Sequence, residues 1–409
     1  MNELMLKKYA ELLVLAGGNV QEGQLVVIGC DVRDAYFGRL VLECAYNAGA
    51  SEVIIDWSDE FSTRTTYLKA AGDIFDKFPQ WKADKLHYQD DLGAVYLNTY
   101  SPNPDLLQGV DSDRLKRFSI ARSTATKKHA SLLMSGALRW SVAAIPNPNW
   151  AMKVFPHLSE NEAMIRLWEH VLKAARADGE KPIENWKIHN KTFAKRVDYL
   201  NKQQFSALRI SSSLGTDLTI GLVNNHRWAG GGEIAKDGVP FFPNIPTEEI
   251  FTMPDRNKAE GRVVASMPLS YQGNLIEGIE MTFKDGQVVD YHADKNKNFL
   301  ANIIEIDEGS RRLGEVALVA NSSPISQMNT LFYDTLFDEN ASSHLALGKA
   351  YPHNIRGGSE LSTDELIALG GNDSLIHVDF MFGTQDMNVT GIKQDGKEVL
   401  FFENGEFKN

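Results

Sequence analysis

Cysteine is almost absent. Cys30 and Cys44 are the only two in 409 residues, and neither sits in a CxxC pair. That excludes a thiolate-caged metal and a disulfide framework, leaving two buried free thiols in a reducing compartment as the expectation. Basic residues are also the minority: 42 Lys and Arg against 54 Asp and Glu give a net charge of -12. A nucleic-acid footprint would need clustered Lys and Arg, so that class is set aside. No apolar run reaches the ~20 residues that span a bilayer. The apolar start holds Lys7 and Lys8, and Leu6, Tyr9, Leu13 and Ala16 recur at helical spacing before Gly17-Gly18. This predicts an amphipathic helix rather than a secretion signal, and a soluble, cytoplasmic protein with no membrane partner. The Asn-x-Ser/Thr triplets at Asn321 and Asn340 are then irrelevant.

Signatures of familiar chemistry are missing as well. There is no HExxH helix, no GxSxG elbow, no EF-hand loop and no Walker loop. The first strand-to-helix turn, Gly29-Cys30-Asp31-Val32-Arg33, lacks the glycine spacing that lets a backbone approach a pyrophosphate. Any active site must be assembled from dispersed residues.

What is present is an ordinary globular mixture, 43% hydrophobic and 23% charged, long enough for two or three domains at roughly 150 residues each. The first half alternates strand and helix patterns: strands at 25–28, 53–55, 93–97 and 140–145, a helix at 34–47 and a helical stretch from Asp113 to Met134. Such alternation predicts an α/β domain, a parallel sheet with flanking helices. Ser159-Glu160-Asn161-Glu162 is a capping box that opens a helix to about Ala177. After a break at 178–182, another helix carries Trp186, Phe193, Val197 and Leu200 on one face. Beyond it the character changes to strands, with hairpin signals at Asp285-Gly286 and Asp395-Gly396. The boundary is placed near residue 200, giving a 1–200 scaffold domain and a 201–409 domain, the latter mostly antiparallel β, of α+β type.

The sharpest local feature is Leu375–Phe382, an apolar strand interrupted by His377 and Asp379. Alternation puts both on one face with Cα atoms roughly 7 Å apart, close enough to converge on a metal cluster. Chance alone supplies roughly one such His-x-acid triplet in this composition. The second, His292-Ala293-Asp294, lies in a polar setting beside Lys295. Burial distinguishes the first, because charge inside a greasy strand is costly unless paired. Glu315 opens another apolar strand, Glu315–Ala320, where an exposed strand-end carboxylate is the local expectation. Glu248 and Glu249 precede Ile250; if extended they point to opposite sides, and a charged loop or a helix's first turn is the alternative. His344 and Tyr351 lie two helical turns apart, although Gly348 and Pro352 disfavour a long helix. Glu339 precedes them as a potential helix cap.

Together these segments resemble the aminopeptidase T and aminopeptidase S family of metallopeptidases, also called thermophilic metalloproteases. The resemblance rests on Asn244–Thr252 (NIPTEEIFT), Glu277–Phe283 (EGIEMTF), Gly314–Ala320 (GEVALVA), Ser342–Gly348 (SSHLALG) and Ile376–Met381 (IHVDFM), with weaker matches at Ala16–Gln21 and Trp150–Pro156. It implies a dinuclear metal-dependent aminopeptidase that hydrolyses the N-terminal bond of short peptides through a metal-activated water. It further implies Glu249, Glu315, Glu339, His344, His377 and Asp379 as ligands, with Glu315 the natural bridge and Tyr351 beside the metals. Two divalent cations and a homodimer follow from the same resemblance. Carboxylates with two histidines suit zinc, cobalt or manganese. A general base is also needed, and Glu248 and Glu339 both qualify. Two other classes compete: a non-catalytic protein with a structural metal or ion-pair site, and a metal-independent hydrolase using paired carboxylates.

Overall fold

The computed structural model describes residues 3–271 and 273–408. By contacts the chain falls into two units, Met1–Lys187 with Gly232–Pro246, and Ile188–Gly231 with Thr247–Asn409. The division falls inside the helix Pro182–Gln203, and the 232–246 segment returns to the first unit, a path that a single boundary does not describe.

The first unit is the expected α/β layer. Its strands Leu25–Asp31, Glu52–Ser58, Val95–Tyr100 and Trp140–Ala144 pair in parallel, with Leu25–Asp31 between Glu52–Ser58 and Val95–Tyr100. The returning segment adds Asn244–Ile245 as a short fifth strand beside Trp140–Ala144. The helical stretch expected from Asp113 to Met134 is instead two helices, Ser112–Ala125 and Lys127–Met134. The hydroxyls of Thr124 and Thr126 bond back to the carbonyls of Ile120 and Arg122, a side-chain habit that bends helices. The capping box at Ser159 forms as expected. Cys30 and Cys44 are buried free thiols.

The second unit is dominated by antiparallel sheets. Eight strands form one, and both Asp-Gly pairs sit in its hairpins, with Asp285 and Gly286 at φ 51° and 77° and Gly396 at φ 82°. Another has five strands in the order His377–Met381, His344–Gly348, Leu313–Val319, Glu249–Thr252 and Ala229–Gly230. Directly opposed residues share a face, and its register opposes Glu249 to Val319, Glu315 to Ala346, Ala346 to Asp379 and Gly348 to His377. Ile250, Val316, Leu318, Leu345, Leu347, Val378 and Phe380 therefore line one face, and all belong to a single buried hydrophobic cluster. Glu249, Glu315, His344, His377 and Asp379 project from the other.

Leu313 and Glu315 would share a face in a regular strand, yet Leu313 opposes Leu347 on the core side and Glu315 opposes Ala346 on the polar side. A β-bulge at Gly314 supplies the extra residue that makes both possible. A Cβ at position 314 would stand 2.4 Å from the Gly348 carbonyl oxygen and 2.5 Å from that of Lys349. Gly314→Ala is therefore expected to lose roughly 1–3 kcal/mol of stability, read as a lower urea midpoint; a wild-type midpoint would show that these strands separate freely.

Candidate metal centre

The polar face of the five-stranded sheet brings five of the proposed side chains together. His344 Nε2 lies 2.9 Å from Glu249 Oε2 and 3.5 Å from Glu315 Oε1. His377 Nε2 lies 3.8 Å from Glu315 Oε2 and 3.4 Å from Asp379 Oδ1. Glu249, Glu315 and His344 form one set whose donor atoms lie within 4.8 Å of one another, and Glu315, His377 and Asp379 form a second. Glu315 belongs to both.

Both imidazoles are aimed by the backbone. His344 Nδ1 sits 3.1 Å from the Ser342 carbonyl oxygen and His377 Nδ1 2.7 Å from that of Lys349. A carbonyl only accepts, so each Nδ1 carries a hydrogen and each Nε2 faces the carboxylates. In a neutral ring that Nε2 is a lone pair set against anionic oxygens, which is unfavourable without a positive charge between them. A cation there would take the lone pair and the oxygens as ligands.

The ion balance points the same way. Glu249, Glu315, Glu339 and Asp379 outnumber His344 and His377, so protonating both rings still leaves excess negative charge. Without metal the cluster takes up protons instead. Burial drives Glu315 up to about 7 against its His344 hydrogen bond, with Glu249 repulsion adding to the rise. Burial, then Glu249 and Asp379, hold Glu339 well above the carboxylate range. Burial alone would lower both histidines, but hydrogen bonds to Glu249 and Glu315 raise His344 well above its usual value, and Asp379 carries His377 to about 9. Glu315 Oε2 and Asp379 Oδ1 are nevertheless buried without a well-formed hydrogen bond. Orphaned anionic oxygens beside forward-facing Nε2 atoms are a donor set that fits divalent cations.

The remaining candidates are placed as follows. Tyr351 begins a short 3₁₀ turn, its ring 4.8 Å from that of His377. Burial first, then Glu315 and Asp379, keep its hydroxyl protonated far above the usual phenol range. Glu339 lies on the helix Thr335–Ala341, whose N-cap Asp334 accepts from Phe337 N. Glu248 is buried; its Oε2 is 3.9 Å from His189 Nε2, and its backbone N donates to Asn340 Oδ1 at 2.6 Å.

One local expectation is corrected, and the alternatives left open elsewhere are decided. Glu315 is no exposed strand end: it is 4% exposed, in a strand with every residue buried. His344 and Tyr351 are not aligned by a helix, because His344–Gly348 is a fully buried strand in which Gly348 adopts φ 105°. Glu249 starts a strand rather than a loop or helix. The decoy pair His292 and Asp294 is an exposed ion pair of 3.1 Å, as its polar context suggested. Sequence reasoning missed Asn340 and Asp338. Asp338 accepts from the backbone N–H groups of Phe332 and Asp334 and so shapes the turn leading to Glu339. A buried acid within an apolar helix start was the signal available for it.

Comparison with known proteins converges on one family. A family model described as thermophilic metalloprotease (M29) matches residues 2–407. Aminopeptidase AmpS of Bacillus subtilis (strain 168) is 44% identical over 404 residues, 98% of each chain. Aminopeptidase 2 of Geobacillus stearothermophilus is 43% identical over 405 residues, covering 99% of this chain and 98% of its own. Among solved structures, wild-type AmpT from Thermus thermophilus superposes with a TM-score of 0.93 at 37% identity, over 100% of both chains.

Metal binding to this cluster must displace protons, since the neighbouring carboxylates raise His377 to about 9 and hold His344 well above its usual value. Calorimetric titration of chelator-treated protein near neutral pH, in buffers of different ionisation enthalpy, is expected to show proton release on adding zinc and affinity that rises with pH. Binding without proton release would contradict this account of the site.

Proposed function

The chain belongs to the thermophilic metalloprotease (M29) family, and from that premise we propose that it is a dinuclear metalloaminopeptidase removing N-terminal residues from short peptides. No helix among the described residues is long and apolar enough to cross a membrane. The observation that carries the reading is the shared carboxylate: Glu315 is common to two donor sets on one sheet face.

In this proposal Glu249, Glu315, Glu339, His344, His377 and Asp379 hold two divalent cations, with Glu315 between them. Zinc, cobalt and manganese all suit such a mixture of carboxylate and imidazole. When bound, the cations supply Lewis-acid polarisation of the scissile carbonyl and acidify the attacking water. The chain's own residues do the rest. The Tyr351 hydroxyl, kept protonated, donates to the carbonyl oxygen as it gains negative charge. The acidic cluster balances the substrate's free ammonium, which selects peptide N-termini. A carboxylate takes the proton of the attacking water and returns it to the leaving amine. Glu339, which shares the charge field of the ligands, and Glu248, which faces His189, are the two carriers to separate. A homodimer and cytoplasmic residence belong to the same proposal; the first rests on the family resemblance, the second on the buried free thiols.

Glu315→Gln and His377→Ala are expected to lower kcat on amino-acid amides by roughly 10²–10³ or more while the circular dichroism spectrum is kept. Full activity in either would discard the site. Chelation should abolish turnover and metal should restore it. Activity that survives exhaustive chelation would favour paired-carboxylate hydrolysis, and a fall in Tm in a protein without any turnover would favour a structural metal. For the proton carrier, Glu248→Gln is expected to reduce kcat about 10²–10⁴-fold at unchanged metal content; an unchanged kcat would assign the role to Glu339.

A further inference from the structure

Beside the cluster, and wholly within the second unit, opens a cleft of about 490 Å³. Its walls include Arg227, Arg356, His353, Asn201, Ser359 and Glu360. Arg227 and Arg356 are exposed and have no ion-pair partner among the described residues. Two free guanidiniums against one carboxylate leave the cleft positively charged. His353 adds no charge: burial first, and then the neighbouring Arg227, lower its pKa to about 4. Its Nε2 is buried without a hydrogen-bond partner.

The cleft is joined to the cluster by stacked rings. His353 stacks on Tyr351 with centroids 5.5 Å apart, and Tyr351 packs on His377 at 4.8 Å. Phe251, which shares the strand of Glu249, closes the group 6.1 Å from Tyr351 and 5.8 Å from His353. The two ring separations bound the distance from His377 to His353, at the cleft wall, at about 10 Å, the reach of about three residues of extended peptide at about 3.3–3.6 Å each. The Asn201 side chain fixes the wall below Arg227 by bonding both the N–H and the carbonyl of Trp228, at 2.9 and 3.0 Å. The Arg227 carbonyl is in turn bonded by Thr252 Oγ1 and Asn354 Nδ2, each at 3.1 Å. The backbone that carries this guanidinium is thus held firmly while the charged end remains available.

We propose that Arg227 and Arg356 bind the C-terminal carboxylate of a short peptide whose N-terminal residue lies at the cluster, so that the enzyme measures peptide length by charge. This rests on the aminopeptidase reading above and adds the substrate class to it: peptides of about three residues with a free carboxylate, in preference to their amides. Guanidinium matches carboxylate geometry in a two-pronged contact, which is the reason for assigning this ligand rather than a diffuse cation effect.

The test is kcat/KM of the metal-loaded protein for a tripeptide and for the same tripeptide amide. The wild-type acid-to-amide ratio is expected to lie between about ten and a hundred, the range of a hydrogen bond between charged groups. Arg227→Gln with Arg356→Gln should bring it close to one, and Arg356→Glu should push it below one. A wild-type ratio of one, or a ratio unchanged in the variants, overturns the carboxylate site while leaving the peptidase reading intact. Failure of the wild type to cleave either substrate overturns both. Because both side chains are exposed, loss of fold is checked by metal content, which should match the wild type.

Discussion

The second unit is governed by one electrostatic constraint: three carboxylates occupy a sheet face from which water is largely withdrawn, and Glu339 on the helix Thr335–Ala341 adds a fourth to their charge field. Isolated, such groups would cost several kcal/mol apiece, and a chain without a remedy would not keep them. The remedies in this structure are graded. His344 and His377 place positive charge within 4 Å of three of the acids. Burial and mutual repulsion raise the proton affinity of Glu315 and Glu339. What is left over is a pair of unmatched oxygens, on Glu315 and Asp379. A metalloprotease needs that residue of dissatisfaction, since an acid fully satisfied by its own chain has no reason to bind an ion.

The opposite face of the same sheet makes this tolerable. Seven apolar side chains from four strands anchor it to the largest hydrophobic cluster of the unit. Each large aliphatic or aromatic side chain fully buried there contributes about 1.5–3 kcal/mol, which offsets the cost of the polar face. Function and stability are segregated by the two-residue period of the strand, and the register carries the distinction from one strand to the next.

This segregation also explains what could be read from the sequence. His377 and Asp379 were legible because a regular strand alternates and both residues break an apolar run. The α/β first unit was legible because its strands are continuous apolar runs, and the Asp-Gly hairpins because turn chemistry is local. Glu315 was misread as exposed, since the bulge at Gly314 interrupts the alternation and is recorded in no neighbouring side chain. His344 looked unremarkable beside Leu345, Ala346 and Leu347, a run that suits helix and strand alike; only its pairing with Ala317 and Met381, 27 and 37 residues away, settles it. The full set was suggested by family resemblance, with Glu315, His344 and Glu249 beyond the reach of periodicity. The cleft of Arg227 and Arg356 had no sequence signal, because its two arginines come from separate loops.

The groups that steer the two imidazoles are main-chain carbonyls, those of Ser342 and Lys349. Replacing the side chains at 342 and 349 would leave both acceptors standing, so a mutational scan would pass over them, and an inventory of invariant residues would omit them. The aim of the rings is inherited through the path of the chain rather than through its letters. The rings keep their aim so long as the strand ends keep their places.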